Sequence, residues 1–136
     1  PRLLPPTKFK NTTIDKSIMA DGCIINAKEI VRSVVGNRSR IGAESVIHNT
    51  YVMGNDFYQN IDEMERDSQS GQILLGIGER CFINNAIVDK NCKIGNDVHI
   101  NGGKHLEDFS NDLYMVKQGI VVIRKGAIIP NNYTIK

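Results

Sequence analysis

Three cationic side chains are the most direct candidates for binding chemistry in this sequence. Lys90 lies in VDKNCKIG, two residues after Val88, and Lys125 lies in VVIRKGAIIP, two residues after Ile123. Arg2 belongs to the opening segment PRLLPP. A guanidinium can bind two phosphate oxygens at once and an ammonium adds a point charge, so a cluster of these groups would hold a phosphate. Sequence spacing alone does not show that the three side chains converge.

The sequence also contains three histidines, His48, His99 and His105. A histidine can act as the general base that activates an acyl acceptor. None of the three has a neighbouring constellation of reactive side chains, so we interpret them as polar side chains on the outside of the fold. The motifs GxxxxGK[ST], GxSxG and HExxH are missing. We therefore predict no catalytic residue in this sequence.

The composition limits the class of protein. The chain has 136 residues, 40% of them hydrophobic, which fits one domain with its own core. No run approaches the roughly 18 apolar residues of a membrane span. The net charge of +2 is small and the basic residues are scattered, so we predict neither a nucleic-acid nor a membrane partner. Cys23, Cys81 and Cys92 lack CxxC spacing and are expected to be reduced core residues of a cytoplasmic protein.

The elements that position these side chains are predicted by a six-residue period. The segment VGNRSRIGAESVIHNTYVM has an apolar residue at Val35, Ile41, Ile47 and Met53. Amphipathic helices repeat at about 3.6 residues and one-sided strands at 2, so neither explains this spacing. The phase continues, with a five-residue step before Val35 and another before Val88, through Ile18, Ile24 and Ile30, and through Ile77, Ile83, Ile94, Ile100, Ile123, Ile129 and Ile135. This pattern predicts an all-β solenoid, a parallel β-helix in which three hexads close each coil.

In such a coil a bulky aliphatic side chain points inward, with glycine beside it and a small residue at the next inward place. Gly36 and Gly42 follow two of the aliphatic residues, and Ser39 and Ser45 provide the small residues. Lys90 and Lys125 are then expected to point outward from equivalent places of their coils.

Residues 14–136 are predicted to form the β-helix, and residues 1–13 are predicted to be a linker between domains. Pro5 and Pro6 support the linker because proline favours extended backbone and stops a preceding helix.

Two insertions interrupt the hexads, one near 54–76 and one at 101–119. The first carries Asp62, Glu63 and Glu65, which indicate a solvated helix face rather than a metal site, so we predict no metal site. Insertions of this length inside a compact domain are often functional. We expect both to contact other domains or subunits, and the alternative is that they are solvated excursions.

Several stretches together resemble one enzyme family, the ADP-glucose pyrophosphorylases, also called glucose-1-phosphate adenylyltransferases. They are PRLLPPTK, SVVGNRSRIG, YVMGNDFYQ, GIGERCFINNAIVDKNCKIGNDV and QGIVVIRKGAIIP, in the family's order across essentially the whole chain. The resemblance, like that to hexapeptide-repeat proteins in general, implies a left-handed helix, although most parallel crossovers are right-handed.

The resemblance also implies a larger enzyme. Its N-terminal catalytic domain, which is absent from these residues, makes ADP-glucose and pyrophosphate from ATP and glucose 1-phosphate with Mg²⁺, for glycogen or starch synthesis. This chain would be the C-terminal regulatory and oligomerisation domain, without catalysis or a cofactor of its own. The implied partners are the catalytic domain, other subunits of a homo- or heterotetramer, and phosphorylated small-molecule effectors. The implied location is the cytoplasm, or the plastid in a plant.

Within that family the matching positions bind anionic effectors between the two domains. The resemblance assigns this role to Arg2, Lys90 and Lys125, and Arg124 is expected to share or replace the role of Lys125 because this sequence has two adjacent basic residues. Two alternatives remain at this point. The period fits a free-standing hexapeptide-repeat acyltransferase equally well, and it also fits a purely structural solenoid.

Overall fold

The chain forms three sheets of short strands. The computed structural model describes residues 6–57, Arg66 and residues 73–136, and the statements below refer to them. Sheet A contains β1 (Lys8–Phe9), β4 (Ile24–Ile25), β7 (Arg40–Ile41), β10 (Gly76–Ile77), β13 (Lys93–Ile94) and β18 (Ile128–Ile129). Sheet B contains β2 (Thr13–Asp15), β5 (Glu29–Val31), β8 (Val46–His48), β11 (Phe82–Asn84), β14 (His99–Asn101) and β19 (Thr134–Ile135). Sheet C contains β3 (Ile18–Met19), β6 (Val34–Val35), β9 (Tyr51–Val52), β12 (Ala86–Val88), β17 (Ile120–Ile123), β16 (Tyr114–Lys117) and β15 (Phe109–Ser110).

The chain visits the sheets in the order A, B, C and then returns to sheet A in the next coil. Stacked coils pair in parallel, with Ile77 beside Ile94 and Ile83 beside Ile100, so a regular coil takes 17 residues. The predicted all-β, parallel solenoid is confirmed. Strands two or three residues long are stable here because each one is a rung in a continuous hydrogen-bonded ladder.

The three corners of a coil are unequal. Inward side chains lie six residues apart from sheet A to B, five apart from B to C, and six apart from C to A, as in Ile77, Ile83, Val88 and Ile94. Each tight B-to-C corner has one residue with φ between 46° and 52°: Lys16, Arg32, Asn49 and Asn85. The left-handed conformation of this residue reverses the chain in fewer residues than the other corners use.

This unequal spacing corrects three of the predicted inward positions. Ile18, Ile24 and Met53 are 67%, 42% and 38% exposed, and the inward places belong to Met19, Ile25 and Val52. The prediction continued the six-residue step through corners where the chain uses five. A shift of one residue turns a strand's side chains to the opposite face, so the error exchanged the core and the surface at these places.

The core is a stack of aliphatic side chains along the axis. Ten isoleucines are almost completely buried: Ile25, Ile30, Ile41, Ile47, Ile77, Ile83, Ile94, Ile100, Ile123 and Ile129. Burying one such side chain is worth about 1.5–3 kcal/mol. Ser39 and Ser45 are buried, as predicted, and the Ser45 hydroxyl donates to the Gly78 carbonyl 2.8 Å away in the next coil.

A column of glycines lets the coils approach each other at the corner between sheets A and B. Gly42, Gly78 and Gly95 lie one above another, and a Cβ on Gly42 would be 2.6 Å from the carbonyl carbon and oxygen of Gly78. The same is true of Gly78 over Gly95, whose backbone oxygen would be closer still. Glycine is required here by close approach, since none of these three has a φ in the left-handed region.

The second insertion is ordered sheet rather than a plain loop. β15, β16 and β17 pair antiparallel, with Val116 beside Val121, and extend sheet C beyond the last coil. Val116 is 4% exposed and so adds to the core. The end of sheet C is therefore covered by the chain itself, which protects a strand edge that would otherwise be open for pairing.

The predicted linker needs a revised boundary. β1 lies inside residues 1–13 and pairs in parallel with β4, Lys8 beside Ile24, so paired structure begins before residue 14. Proline restricts only the residues around it, and the alternation after Thr7 is free to form a strand. Most of the first insertion, including Asp62, Glu63 and Glu65, lies outside the described residues.

Candidate functional site

Two of the predicted anion-binding residues meet at one corner of the solenoid. Val88 pairs with Ile123 in adjacent coils, and the chain leaves both strands towards sheet A through Lys90 and Lys125. The Gly126 amide donates to the Lys90 carbonyl at 3.0 Å, which fixes the two turns one above the other. The expectation that the two lysines occupy equivalent places is confirmed.

A carboxylate from the first insertion also reaches this corner. The Lys90 Nζ lies 3.1 Å from Oδ1 of Asp56, which is half-exposed at the start of that insertion. Asn91 Nδ2 donates to Asp56 Oδ2 at 3.1 Å, and the Asp56 amide donates to Asn91 Oδ1 at 2.9 Å. Asp56 is thus held by three contacts to two consecutive residues. We call Asp56, Lys90, Asn91 and Lys125 the lysine corner.

The electrostatics show that both lysines act on Asp56. Hydrogen bonds from Asn91 and then Lys90 hold the pKa of the Asp56 carboxyl below its ordinary value, and the charges of Lys90 and Lys125 lower it further. Lys125 is exposed and no side-chain hydrogen bond ties it to any described residue. An ammonium without such a bond, beside one with a carboxylate partner, is an arrangement that can take an anion.

The corner carries no net positive charge. Asp89 lies beside Lys90 and its Oδ1 accepts the Lys90 backbone amide at 2.7 Å. Two lysines face two carboxylates, Asp56 and Asp89, so the formal charges cancel. An anion bound here requires either further cations or the departure of a carboxylate from the ammonium groups.

The other two predicted residues are placed differently. Arg124 turns towards the second insertion, where its Nε donates to the Asn111 carbonyl at 2.8 Å and its Nη2 to Ser110 Oγ at 2.6 Å. This side chain fastens the antiparallel extension of sheet C to the solenoid. Arg2 lies outside the described residues. The proposed joint action of the four cations therefore stays a prediction.

The histidines lie on the outer face, as interpreted from the sequence. His48 Nε2 lies 3.0 Å from Glu29 Oε2, and the His99 ring stacks on Phe82 with centroids 4.9 Å apart. His105 is exposed in the second insertion. The sequence analysis missed the Glu29–His48 pair, because the two residues come from adjacent coils. Stacking the coils at 17 residues places Glu29 beside Val46, one rung from His48, and this register was the available signal.

A shallow groove lies on the outer face of sheet C, next to the second insertion. Its cavity volume is about 550 Å³, and Val34, Tyr51 and Ile87 lie along its floor. Arg32 and Lys104 are on its rim. Tyr51 is 50% exposed, so a large apolar surface faces outward here.

The thiols are unreactive core groups. Cys23, Cys81 and Cys92 are free and buried, as predicted. Burial raises the pKa of all three thiols, that of Cys92 to about 11, so thiolate is scarce at neutral pH. In the described part of the chain, no group of three or more His, Cys, Asp or Glu residues is arranged to hold a metal. Nor does any helix there have the length and apolar character for crossing a membrane.

Comparison with known proteins identifies the family. Residues 2–134 match the family described as "GLGC left-handed parallel beta-helix domain". The chain belongs to this family. Membership gives the sense of the solenoid, which is left-handed, and so confirms the predicted fold class.

A curated relative has a longer chain. "Inactive glucose-1-phosphate adenylyltransferase small subunit 2, chloroplastic" of Arabidopsis thaliana is 37% identical over 136 residues. The match covers 97% of the present chain and 29% of that protein, in its C-terminal part. The resemblance to glucose-1-phosphate adenylyltransferases seen in the sequence is confirmed.

Proposed function

We propose that this chain is the C-terminal regulatory and assembly domain of a glucose-1-phosphate adenylyltransferase, in which the lysine corner binds a phosphorylated effector. The parent enzyme would make ADP-glucose and pyrophosphate from ATP and glucose 1-phosphate for glycogen or starch synthesis. The family match over residues 2–134 carries the enzyme assignment. The stacking of Lys90 and Lys125 at one corner supports the effector site.

The chain itself would take no part in catalysis. ATP and Mg²⁺ would be held by the catalytic domain, since the described residues contain no metal cluster and no phosphate loop. Lys90 and Lys125 would hold effector phosphate oxygens, with Arg2 approaching from the N-terminal side. Because the solenoid is a continuous ladder, a bound effector would act by biasing how the rigid domain sits against its neighbour. Such coupling is typically worth 1–3 kcal/mol.

The outer face of sheet C supports a role in assembly. Ile18 is 67% exposed and Tyr51 50% exposed on the same outward row. Exposed apolar patches of this kind usually mark contacts with other proteins or domains. We propose that the catalytic domain or a further subunit covers this face, in a homo- or heterotetramer located in the cytoplasm, or in the plastid if the source is a plant.

The effector site is tested by calorimetric titration with inorganic phosphate, 3-phosphoglycerate and fructose 1,6-bisphosphate at constant ionic strength. We expect Lys90→Ala and Lys125→Ala each to weaken binding about tenfold, the loss of one charge-assisted hydrogen bond of about 1.5 kcal/mol. Lys28→Ala removes an exposed lysine at the corner between sheets A and B and is the matched control, expected to leave binding unchanged. Equal loss in all three variants would show general charge attraction rather than a site.

Arg124→Ala separates a structural from an effector role. Because Arg124 bonds Ser110 and Asn111, we expect faster amide exchange in β15 and β16 with unchanged phosphate affinity. A tenfold loss of affinity without a change in exchange would instead assign Arg124 to the effector site.

A second function is favoured by one observation. The Glu29–His48 contact of 3.0 Å is the pairing that orients a general base, so an acyltransferase remains the alternative. An assay for thiol release from acetyl-CoA with amino and hydroxyl acceptors tests it. Turnover abolished by His48→Asn would support the acyltransferase, and formation of ADP-glucose by the chain alone would overturn the non-catalytic assignment.

A further inference from the structure

Asp56 stands in the place where an anion would meet Lys90. Its Oδ1 is 3.1 Å from the Lys90 ammonium, and its Oδ2 accepts from the Asn91 amide at the same distance. The Asp56 backbone amide returns a hydrogen bond to Asn91 Oδ1. Asn91, which has a φ of 62° in the corner turn, therefore holds the carboxylate against the lysine on both sides.

The contact is open to competition. The Asp56 and Lys90 side chains are 51% and 44% exposed, so water and solutes reach both. Exposed ion pairs of this kind contribute little to stability, about 0–1 kcal/mol. A phosphate ester with two charges can replace one carboxylate at an ammonium at little cost to the fold. Asp56 would retain its two hydrogen-bonded contacts to Asn91 while doing so.

We propose that Asp56 is a built-in competitor for the effector, which lowers the affinity of the lysine corner for anions and selects dianionic phosphate groups over monoanions. This inference rests on the proposed effector site. With Asp56 paired to Lys90, Lys125 is the only lysine of the corner without a carboxylate contact, which is too little charge to retain a monoanion. A phosphate dianion attracts both ammonium groups and displaces the carboxylate from Lys90.

The role of Asp56 predicts a gain of affinity on removing its charge. Two unit charges about 4 Å apart in water interact by about 1 kcal/mol. Asp56→Asn should therefore tighten binding of a monoanion about fivefold, and that of a phosphate dianion by more, because the repulsion scales with ligand charge. The amide can still pair with Asn91, so the corner turn is preserved.

The experiment is a calorimetric titration of the full 136-residue chain with inorganic phosphate and with nitrate as the monoanion probe. The variants are Asp56→Asn, Asp56→Ala, and both changes combined with Lys90→Ala. The matched control is Asp97→Asn, which removes an exposed carboxylate paired with Arg80 at 2.8 Å at another corner. Both Asp56 variants should bind phosphate at least fivefold more tightly than the wild type, and the control should not differ from it.

The outcomes separate this inference from the proposed function. Tighter binding in both Asp56 variants, lost on adding Lys90→Ala, supports the competitor. Unchanged or weaker binding in the Asp56 variants, with loss in Lys90→Ala, overturns the competitor and leaves the effector site in place. An equal gain in Asp97→Asn also overturns it, since only net charge would matter. Absence of phosphate binding in wild type and Asp56 variants alike overturns both.

Discussion

The close stacking of coils at the glycine column makes a sharp prediction about Gly42→Ala. The added Cβ would lie 2.6 Å from the carbonyl carbon and oxygen of Gly78 and 2.8 Å from the amide nitrogen of Glu79. All three atoms are backbone atoms of the next coil, so no side chain can move aside. Ordinary contact begins at about 3.4 Å, and the two coils must therefore separate locally by about 0.8 Å.

The cost follows from this separation. The Gly42 amide donates to the Ile77 carbonyl at 2.9 Å, and a displacement of about 0.8 Å takes that pair beyond hydrogen-bonding distance. Losing a backbone hydrogen bond of this kind costs about 1 kcal/mol, and forcing extra volume into a packed site costs a further 1–3 kcal/mol. We expect Gly42→Ala to lower the free energy of unfolding by about 2–4 kcal/mol.

The measurement is urea denaturation followed by circular dichroism, with the slope m checked for a single transition. Gly126→Asn is the matched control. Gly126 has a φ of 73° and open space around its Cβ direction, and Asn91 adopts a φ of 62° at the equivalent place one coil earlier. The control should therefore change stability by no more than about 0.5 kcal/mol. A loss in Gly42→Ala below 1 kcal/mol would refute the argument that coil spacing is fixed by glycine.

Three further expectations concern core phase and titration. Ile25→Ala should cost about 2–5 kcal/mol of unfolding free energy and Ile24→Ala under 1, measured in urea, because the first side chain is fully buried and the second is 42% exposed; similar losses would contradict the assigned inward position. Cys92 has a pKa raised by burial to about 11 from 9.0, so stability should be complete below pH 9 and fall towards pH 11, and less so in Cys92→Ser; an identical fall would exclude Cys92 as the cause. The Arg80 hydrogen bond and then its charge lower the pKa of the Asp97 carboxyl, so this pair stabilises above an unfolded pKa of 3.8 and loses that contribution as pH falls below it; carboxyl titration by NMR should show a higher Asp97 pKa in Arg80→Gln, and no change would refute the pairing.

The sequence was sufficient for the architecture because its information lies in a period. Val35, Ile41 and Ile47 occupy inward places as predicted, and they fix the three-sided coil. The errors came from counting in hexads where the structure repeats by coils. Counting 17 residues from Val35 gives Val52 rather than Met53, and both are apolar, so no chemical difference between the two revealed the mistake.

The candidate site was predictable only in part. Lys90 and Lys125 follow inward residues at the same interval, so the period alone stacked them. Asp56 was missed because it joins them from 34 residues before Lys90, across an insertion whose length hides the register. Arg124 shows the opposite limit: its neighbour in sequence faces the corner, while its own side chain is taken by Ser110 and Asn111.

Both insertions leave the solenoid at a corner and return to the same corner. Across the first, Ile41 pairs with Ile77, and across the second, Ile94 pairs with Ile129, 36 and 35 residues apart instead of 17. The chain can therefore gain or lose length at these two places without turning one inward side chain outward. A single residue added within a strand would instead invert every following rung up to the next corner. In an alignment of relatives, gaps belong at these two corners, and they are also the places where a peptide tag or a reporter domain can be inserted while the ladder stays intact.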